Sequence, residues 1–514
     1  MTPSLPMSPL PPPAAVAAPG PARSWRPWVR APRPMLLASL SLGVLAVVLL
    51  DRARWGLGFP VLVAALLGAL AWLGGREGWQ RARPNAWLLA PLCLVAGFVA
   101  VRDSAWLLTL NVLTSGVLLM LLAHFWAGGR VERLGLTDYP AVVLGAALQS
   151  LRYPPALARD SLDVRGLQGH GPRLLSLGRG LLLTLPVLLL FSMLLFTADG
   201  VFSLAMDRAL SFDLGLDVLV RWGVGAVFSA CVAAGVLGHA LRRRDATERG
   251  VEEAAPATPR LGLIEAMTLV LAVDALFFVF AAFQVSYLFI SETTAIGRGY
   301  TVAEFARHGF FELVVVSLLT LALVMALTRW TRRESPVGQA VFRVGTSLMV
   351  GLTLVILASA MRRLSLYEDA YGYTLLRVYT HVFMFGLGAA LVWRAVTLWW
   401  RTERFAVGAL VTALGAVVAL NVLNPEDFIA RHNLARHART GSLDVELLSR
   451  LSADAVPALM PALGVLSQAE AELLLSQHLD TLSQRDTVPE WNFSRFMARR
   501  RLLQAGPWRE PVNP

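Results

Sequence analysis

The sequence contains no lysine, only two cysteines and few charged residues. All 46 basic residues are arginines, which we attribute to genome composition rather than to chemistry. Cys93 and Cys231 both fall inside apolar stretches, so neither a disulfide framework nor a metal site is predicted. Charged residues make up 16% of the chain, against about 25% in soluble domains. This scarcity of charge argues against an ordinary soluble protein.

The signatures of the commonest enzymes are missing as well. The sequence contains no HExxH, GxSxG, P-loop or paired CxxC motif, so the usual protease, hydrolase and NTPase sites are not predicted. We therefore predict no catalytic residue and no cofactor. The net charge of +11 does not indicate nucleic acid, because the arginines are scattered over the loops. Anionic phospholipid headgroups are the expected partner of this charge.

What the sequence does contain is long apolar runs. A hydrocarbon layer of about 30 Å needs roughly 20 helical residues to cross it, and backbone polar groups in lipid must be satisfied within the spanning segment. The sequence therefore predicts an all-α fold, a polytopic transmembrane helix bundle of about eleven spans with a small helical C-terminal appendage. The predicted spans are 35–50, 56–75, 86–101, 105–126, 180–197, 216–240, 261–290, 309–328, 339–360, 373–393 and 405–423.

The remaining segments differ in composition. Seven prolines among the first twenty residues predict a disordered arm. The apolar segment Ala141 to Leu148 is too short to cross a membrane and predicts an interfacial helix. The expected domains are the arm 1–34, the first four spans 35–126, a cytoplasmic loop 127–179, a seven-helix core 180–423 and a helical extracytoplasmic tail 424–514.

The distribution of arginine predicts the orientation of the chain. Cytoplasmic loops carry an excess of basic residues. In this sequence, the loops expected on the same side of the membrane as the N-terminus hold most of the arginines between the spans. The N-terminus is therefore expected in the cytoplasm. An odd number of crossings then leaves the C-terminal tail outside.

Ionisable residues within or beside the spans are the candidate functional residues. A charged side chain at mid-helix costs roughly 2.5–3.5 kcal/mol on insertion scales, so it usually faces a cavity or pairs with another group. Asp274 lies near the middle of its span, and most of the others lie near the expected outer surface. The candidates for an outward-facing polar pocket are Arg221, Asp274, Glu312, Arg363, Tyr367, Tyr371, Arg377 and His381. The alternative is structural, with tyrosines in an interfacial belt and Glu312 and Arg377 joining two helices.

A second motif follows the last span. Asn424 is expected to cap a new helix and Pro425 to begin it, because Asn and Pro favour these positions. Asn433 and Arg436 then lie along one stripe of the helix with Ile429. This motif predicts either an interfacial helix whose arginines contact phosphates or a helix that docks on the bundle.

Three segments together resemble a known family. They are YTVAEFARHGFFELVVVSLL from Tyr300, RRLSLYEDAYGYTLLRVY from Arg362 and NVLNPEDFIARHNLAR from Asn421. In this order they resemble the bacterial membrane family catalogued as domain of unknown function 4173, over about residues 175 to 470. The resemblance implies a multipass protein of the bacterial inner (plasma) membrane and implies no reaction.

Three functions remain open. The leading hypothesis is a non-enzymatic sensing, envelope-assembly or accessory role, in which the outer polar pocket receives a ligand or an envelope protein partner. The second is a secondary transporter with a proton or ion path through Asp274, Glu312 and His381, although the sequence shows no internal repeat. The third is a membrane-embedded transferase acting on a lipid-linked substrate, with Glu312 and His381 as bases and Arg221 and Arg377 binding phosphate.

Overall fold

The computed structural model describes residues 29, 31–51, 54–161, 184, 216–242, 261–288, 310–464, 466–483 and 486–504. The described part contains helices, turns and one isolated bridge between Leu261 and Thr331, and it contains no strand. Seventeen α-helices are numbered here in chain order. They are α1 (Pro32–Leu50), α2 (Gly58–Ala82), α3 (Leu89–Phe98), α4 (Ala105–Trp126), α5 (Asp138–Ser150), α6 (Tyr153–Ser161), α7 (Leu216–Ala240), α8 (Leu263–Leu288), α9 (Phe310–Trp330), α10 (Pro336–Tyr371), α11 (Leu375–Trp399), α12 (Phe405–Leu423), α13 (Pro425–Thr440), α14 (Val445–Ser449), α15 (Val456–Leu459), α16 (Gln468–Ser483) and α17 (Phe493–Gln504).

The prediction of an all-α polytopic bundle is confirmed. The described residues include nine helical segments that are long and apolar enough to cross a membrane. Apart from residue 184, the predicted span 180–197 lies outside the described residues, as do the linker 243–260 and almost all of the N-terminal arm. The second and third predicted spans form one continuous run, Gly58–Phe98.

Hydrogen bonds show that this run is a hairpin. The N–H groups of Leu57 and Gly58 donate to the carbonyls of Trp491 and Pro489, at 2.9 and 2.8 Å, while that of Phe493 donates to the Ala100 carbonyl at 2.8 Å. Both ends of the run therefore lie beside the C-terminal segment. We call this side of the bundle, which carries residues 424–504, the tail end.

The turn of the hairpin lies at the opposite end of the bundle, which carries residues 127–161 and is called the loop end. The helix breaks at Gly75, whose φ of 58° and ψ of −162° are accessible to glycine. A 3₁₀ turn, Arg83–Leu88, follows. Within it, the Asn85 amide donates to the Gly129 carbonyl and accepts from the Val131 N–H, both at 2.9 Å. Since Gly129 follows α4, α4 also ends here.

The spans pack in two groups. The first buries side chains of α1 to α7, and the second buries those of α8 to α11. Helix α12 joins the groups, because it packs along α11 and contributes Ala406 and Leu414 to the first core. The Ser161 hydroxyl donates to the Pro32 carbonyl at 3.0 Å. This bond places the start of α1 at the loop end, opposite the tail.

The two short helices after α4 stay at the loop end. The Tyr139 hydroxyl at the start of α5 donates to the Val131 carbonyl at 3.2 Å. At the far end of α5, Ser150 packs on Gly235, and the Tyr153 ring that opens α6 packs on Gly238. A Cβ at Gly238 would lie 2.4 Å from that ring, so only glycine permits this approach. Both ends of α5 thus contact the loop end of the bundle.

The tail is built onto the spans. Its core combines Val378 of α11 with Ile429 and Ala430 of α13 and with Leu448 and Leu474. Helix α13 follows α12 after the single residue Asn424, whose φ of 52° turns the chain sharply. The appendage therefore shares its core with the bundle.

An amide pair joins α4 to α12. The Asn111 amide donates to the Asn421 side-chain oxygen at 2.9 Å and accepts from the Asn421 amide at 2.8 Å, and both side chains are fully buried. Asn111→Leu leaves one amide without its partner in an apolar site, which we expect to cost roughly 1 kcal/mol. Thermal unfolding in detergent should show a lower Tm for each single leucine variant. The double variant should lose less than the sum of the two, and a strictly additive loss would show that the pair contributes no coupling.

Candidate functional site

The tail ends of α10 and α11 meet through a buried carboxylate and an imidazole. Glu368 Oε1 lies 3.2 Å from His381 Nδ1, and His381 Nε2 lies 3.4 Å from the Ser365 hydroxyl. Hydrolase triads contain the same order of groups. Ser365, however, lies within α10 and its hydroxyl donates to the Met361 carbonyl at 3.1 Å, so its own helix holds it. The three side chains bond the two helices to each other.

Next to this contact, an arginine lies over the ring of one of two neighbouring tyrosines. The guanidinium carbon of Arg377 is 4.3 Å from the centroid of the Tyr367 ring, and the Tyr367 and Tyr371 centroids are 4.9 Å apart. Arg377 also donates to the Gly372 carbonyl. Tyr371 is 57% exposed. We call these three side chains the Tyr–Arg stack.

Arg363 bonds α10 to α8. Its guanidinium donates to the Gln284 side-chain oxygen at 3.0 Å, and the Ser359 hydroxyl donates to the same oxygen at 2.6 Å. Gln284 and Ser359 are buried. Arg363 is thus bound within the protein at the tail end of the α8–α10 contact.

The motif after the last span holds α13 against the bundle. Asn433 forms two bonds with the backbone of Tyr373, accepting from its N–H at 2.7 Å and donating to its carbonyl at 2.9 Å. Arg436 donates to the carbonyls of Asp369 and Ala370 at 3.2 and 2.6 Å. Both side chains therefore satisfy carbonyls and N–H groups at the end of α10 and the start of α11. These contacts correspond to the docking alternative.

Asn424 does not cap α13 with its side chain, contrary to the sequence expectation. It has left-handed backbone geometry at the end of α12, and its amide donates to the Asp454 carbonyl at 3.2 Å. Pro425 begins α13 as expected. The left-handed backbone of Asn424, and not its side chain, ends α12 and starts α13. The preference of asparagine for side-chain capping therefore did not predict this arrangement.

The other charged candidates are separate from this site. Arg221 of α7 pairs with Asp51, which follows α1, at 3.5 Å. Glu312 is exposed in the first turn of α9 and forms no ion pair with Arg221 or Arg377. Asp274 is buried in α8. The described structure therefore brings together Arg363, Tyr367, Tyr371, Arg377 and His381 at the tail end of α10 and α11, whereas Arg221, Asp274 and Glu312 lie on other helices, α7, α8 and α9.

Two buried carboxyl groups in the tail were not predicted as functional residues. Asp454 Oδ2 accepts from the N–H groups of Asp103 and Ser104, both at 2.9 Å, and thus caps the N-terminus of α4. Glu426 accepts from the Ser452 N–H. Burial raises the pKa of both carboxyls, against the opposing effect of their hydrogen bonds. Both groups therefore keep a proton to higher pH than an exposed carboxyl does.

Arg495 of α17 is the second unpredicted contact between tail and spans. Its guanidinium pairs with Asp103 at 2.5 Å and with Asp486 at 3.0 Å, and it donates to the carbonyl of Trp55 at 3.2 Å. The segments before α2 and before α4 are thereby joined to the end of the chain. Although its helix is rich in arginine, this arginine points into the protein. No sequence pattern distinguishes it from Arg499 or Arg500.

At the loop end, a second polar cluster joins α4 and α7. His239 Nε2 lies 3.3 Å from His124 Nδ1, and Arg242 donates to the His239 carbonyl at 2.7 Å. All of these groups lie where α4 and α7 end. Among the residues that the structure describes, no group of three His, Cys, Asp or Glu side chains is arranged to hold a metal ion.

The Arg495 network predicts how the tail is held. Arg495→Ala removes the buried cation that pairs with Asp103 and leaves Asp486 with Arg54 at 3.7 Å, and breaking a buried pair costs about 3–5 kcal/mol. We expect faster proteolysis and faster hydrogen exchange in residues 486–504. Arg500→Ala, on the exposed side of the same helix, is the matched control and should change neither. Equal protection in both variants would show that Arg495 does not hold the tail.

Comparison with known proteins identifies the family. The family model described as Domain of unknown function (DUF4153) matches residues 89–462, from the start of α3 into the tail. No curated protein and no solved structure matches the chain. The match is to a domain of unknown function, as the resemblance implied, but it is not to domain of unknown function 4173. Because the model covers most of the sequence, the chain is a member of the family described as Domain of unknown function (DUF4153).

Proposed function

We propose that this membrane protein has a non-enzymatic role in sensing or envelope assembly, and that the Tyr–Arg stack binds an envelope protein. The supporting observation is the stack itself, which is exposed through Tyr371 and held in place by the protein. Tyrosine and arginine dominate the binding energy of protein interfaces. A cation over an aromatic ring is also a preorganised arrangement, which lowers the entropic cost of binding.

The surroundings of the stack support binding rather than transport. Each polar group beside it is already bonded within the protein, since Glu368 holds His381, Gln284 holds Arg363 and Asn433 holds the Tyr373 backbone. These bonds fix the shape of the surface. A transport path needs groups that exchange ligands, whereas a binding surface gains affinity from rigidity.

We further propose that the protein lies in the inner membrane of a bacterium, with its N-terminus in the cytoplasm and its tail outside. The arginine distribution favours this orientation. The start of α1 and the tail lie at opposite ends of the bundle, which is compatible with it. In this arrangement the Tyr–Arg stack faces the extracytoplasmic space, where an envelope protein can reach it.

Photo-crosslinking in cells tests the proposed partner. A benzophenone amino acid at position 371 should form a covalent adduct with one envelope protein. The control is the same group at Trp400, an aromatic residue that is 83% exposed at the loop end, and it should not form this adduct. Tyr371→Ala should weaken the purified complex at least fivefold, because truncating an interface hot spot costs more than about 1 kcal/mol.

The proposal fails if position 371 gives only lipid adducts or the same adducts as position 400. It also fails if Tyr371→Ala complements a deletion strain fully and binds the partner with unchanged affinity. A properly folded variant is required in each case, and the thermal unfolding of detergent-purified protein provides that check.

We also propose that α17 rests on anionic phospholipid. Trp491, Phe493 and Phe496 are exposed apolar side chains beside the ends of α2 and α3, and Arg500 and Arg501 are exposed on the same helix. Aromatic rings and arginines beside the ends of membrane-spanning helices are typical of a membrane interface. Replacing Arg499, Arg500 and Arg501 with glutamine should reduce the anionic lipid that copurifies with the protein, as measured by mass spectrometry. Unchanged lipid content would contradict this contact.

A further inference from the structure

Asp274 occupies the side of α8 that packs on α10. Among the side chains of α8 that the structure describes, residues 263–284, the buried ones are Ala266, Val270, Asp274, Ala281 and Gln284. Their spacing places them along one face of the helix. Helix α10 is the main neighbour of this face, and Ala266 and Val270 belong to its core. Asp274 is only 4% exposed, so its carboxyl lies within the helix contact.

The register of α8 and α10 shows what lies beside Asp274. Gly345 of α10 contacts Met267 and Val270, and Ser359 bonds Gln284. The two helices therefore run parallel, and Asp274 is level with residue 350 of α10. Among the α10 hydroxyls near that level, Ser347 accepts from the Trp399 ring N–H at 3.0 Å, and Thr346 and Thr353 each donate to a carbonyl of their own helix at 2.7 Å. Neither threonine hydroxyl proton is directed to the carboxyl.

Both carboxyl oxygens of Asp274 are buried and have no hydrogen-bond partner among the residues that the structure describes. No ion pair is formed with the charged groups of α8 and α10. The other charged residue of α8 is Glu265, and the charged residues of α10 are Arg343, Arg362, Arg363, Glu368 and Asp369. Arg343 lies about 10 Å away toward the loop end, from its spacing along the helix, and Arg363 and Glu368 are bonded at the tail end.

An ionised carboxylate in these surroundings is strongly disfavoured. Without a cation or donors, burial of the charged form costs far more than burial of the neutral acid, and the group takes up a proton instead. A proton needs no further ligands, whereas a metal ion needs several oxygen or nitrogen donors. The site is thus suited to one proton.

We propose that Asp274 is a proton-binding site in the middle of the membrane, neutral at neutral pH, and that it exchanges its proton with the tail end along the α8–α10 contact. Beyond Thr353, the polar groups in that direction are the buried Gln284 and Ser359 and the half-buried Arg363, about 15 Å along α8. The site is independent of the Tyr–Arg stack. It adds a proton-linked property to the protein, whatever partner the stack binds.

Infrared difference spectroscopy of the full chain in nanodiscs tests this inference. At neutral pH, wild type minus Asp274→Asn should contain the carbonyl stretching band of one protonated carboxyl per protein. Asp427→Asn is the matched control, because Asp427 is paired with the exposed Arg431 at 2.7 Å. Its difference spectrum should contain carboxylate bands, together with the amide bands of the introduced asparagine, and no band of a protonated carboxyl. In deuterated water the Asp274 band should shift, which shows that the proton exchanges.

Asp274→Glu keeps a carboxyl at the site and guards against misfolding of the asparagine variant. Wild type minus Asp274→Glu should show one protonated band replaced by another at a slightly different frequency. Carboxylate bands in either Asp274 difference spectrum at neutral pH would overturn the proposal, because the group would then be charged. A protonated band that does not shift in deuterated water would overturn the exchange with the tail end.

Discussion

Hydrocarbon supplies no hydrogen bonds, and the buried contacts of the bundle follow from that constraint. Several serine and threonine hydroxyls within the spans donate to carbonyls four residues earlier, as Ser317 and Thr328 do at 2.8 and 2.6 Å. The Asn111 and Asn421 amides satisfy each other. Arg394 donates to the Thr328 hydroxyl at 2.6 Å. Asp274 departs from this pattern, since its buried carboxyl has no hydrogen-bond partner in the described part of the chain, and the proposed protonation of this group rests on that departure.

The same constraint explains why the tail is inseparable from the bundle. Four N–H groups at the start of each helix and four carbonyls at its end lack partners within the helix. At the tail end, Asp454 caps α4, Asn433 and Arg436 bind the backbone between α10 and α11, and Arg495 binds the loop before α2. The tail thus supplies hydrogen bonds that water or loops supply in other helical proteins. The rigidity of the Tyr–Arg stack depends on this arrangement, since Gly372 and Tyr373 are held from both sides.

The candidate site shows the limit of helical periodicity. Tyr373, Arg377 and His381 recur at intervals of four, which predicts one polar face on α11. In the structure these three residues have separate partners, the Tyr373 backbone binding Asn433, Arg377 binding Gly372 and Tyr367, and His381 binding Glu368. Spacing along one helix states which side chains share a face. It does not state which neighbouring helix each one meets.

The sequence by itself determined that lipid surrounds the spans, that the secondary structure is helical and which polar residues are candidates for function. Apolar runs of membrane length can bury their backbone only as helices, so the bundle and the helix after Asn424 followed from local pattern. Tertiary structure decided which charged groups meet. Arg495 and Arg500 lie on one short helix with the same local composition, yet only Arg495 reaches Asp103, nearly four hundred residues earlier in the chain. Pairing at that separation depends on how helices pack, and packing energies depend on shape and distance that no local pattern encodes.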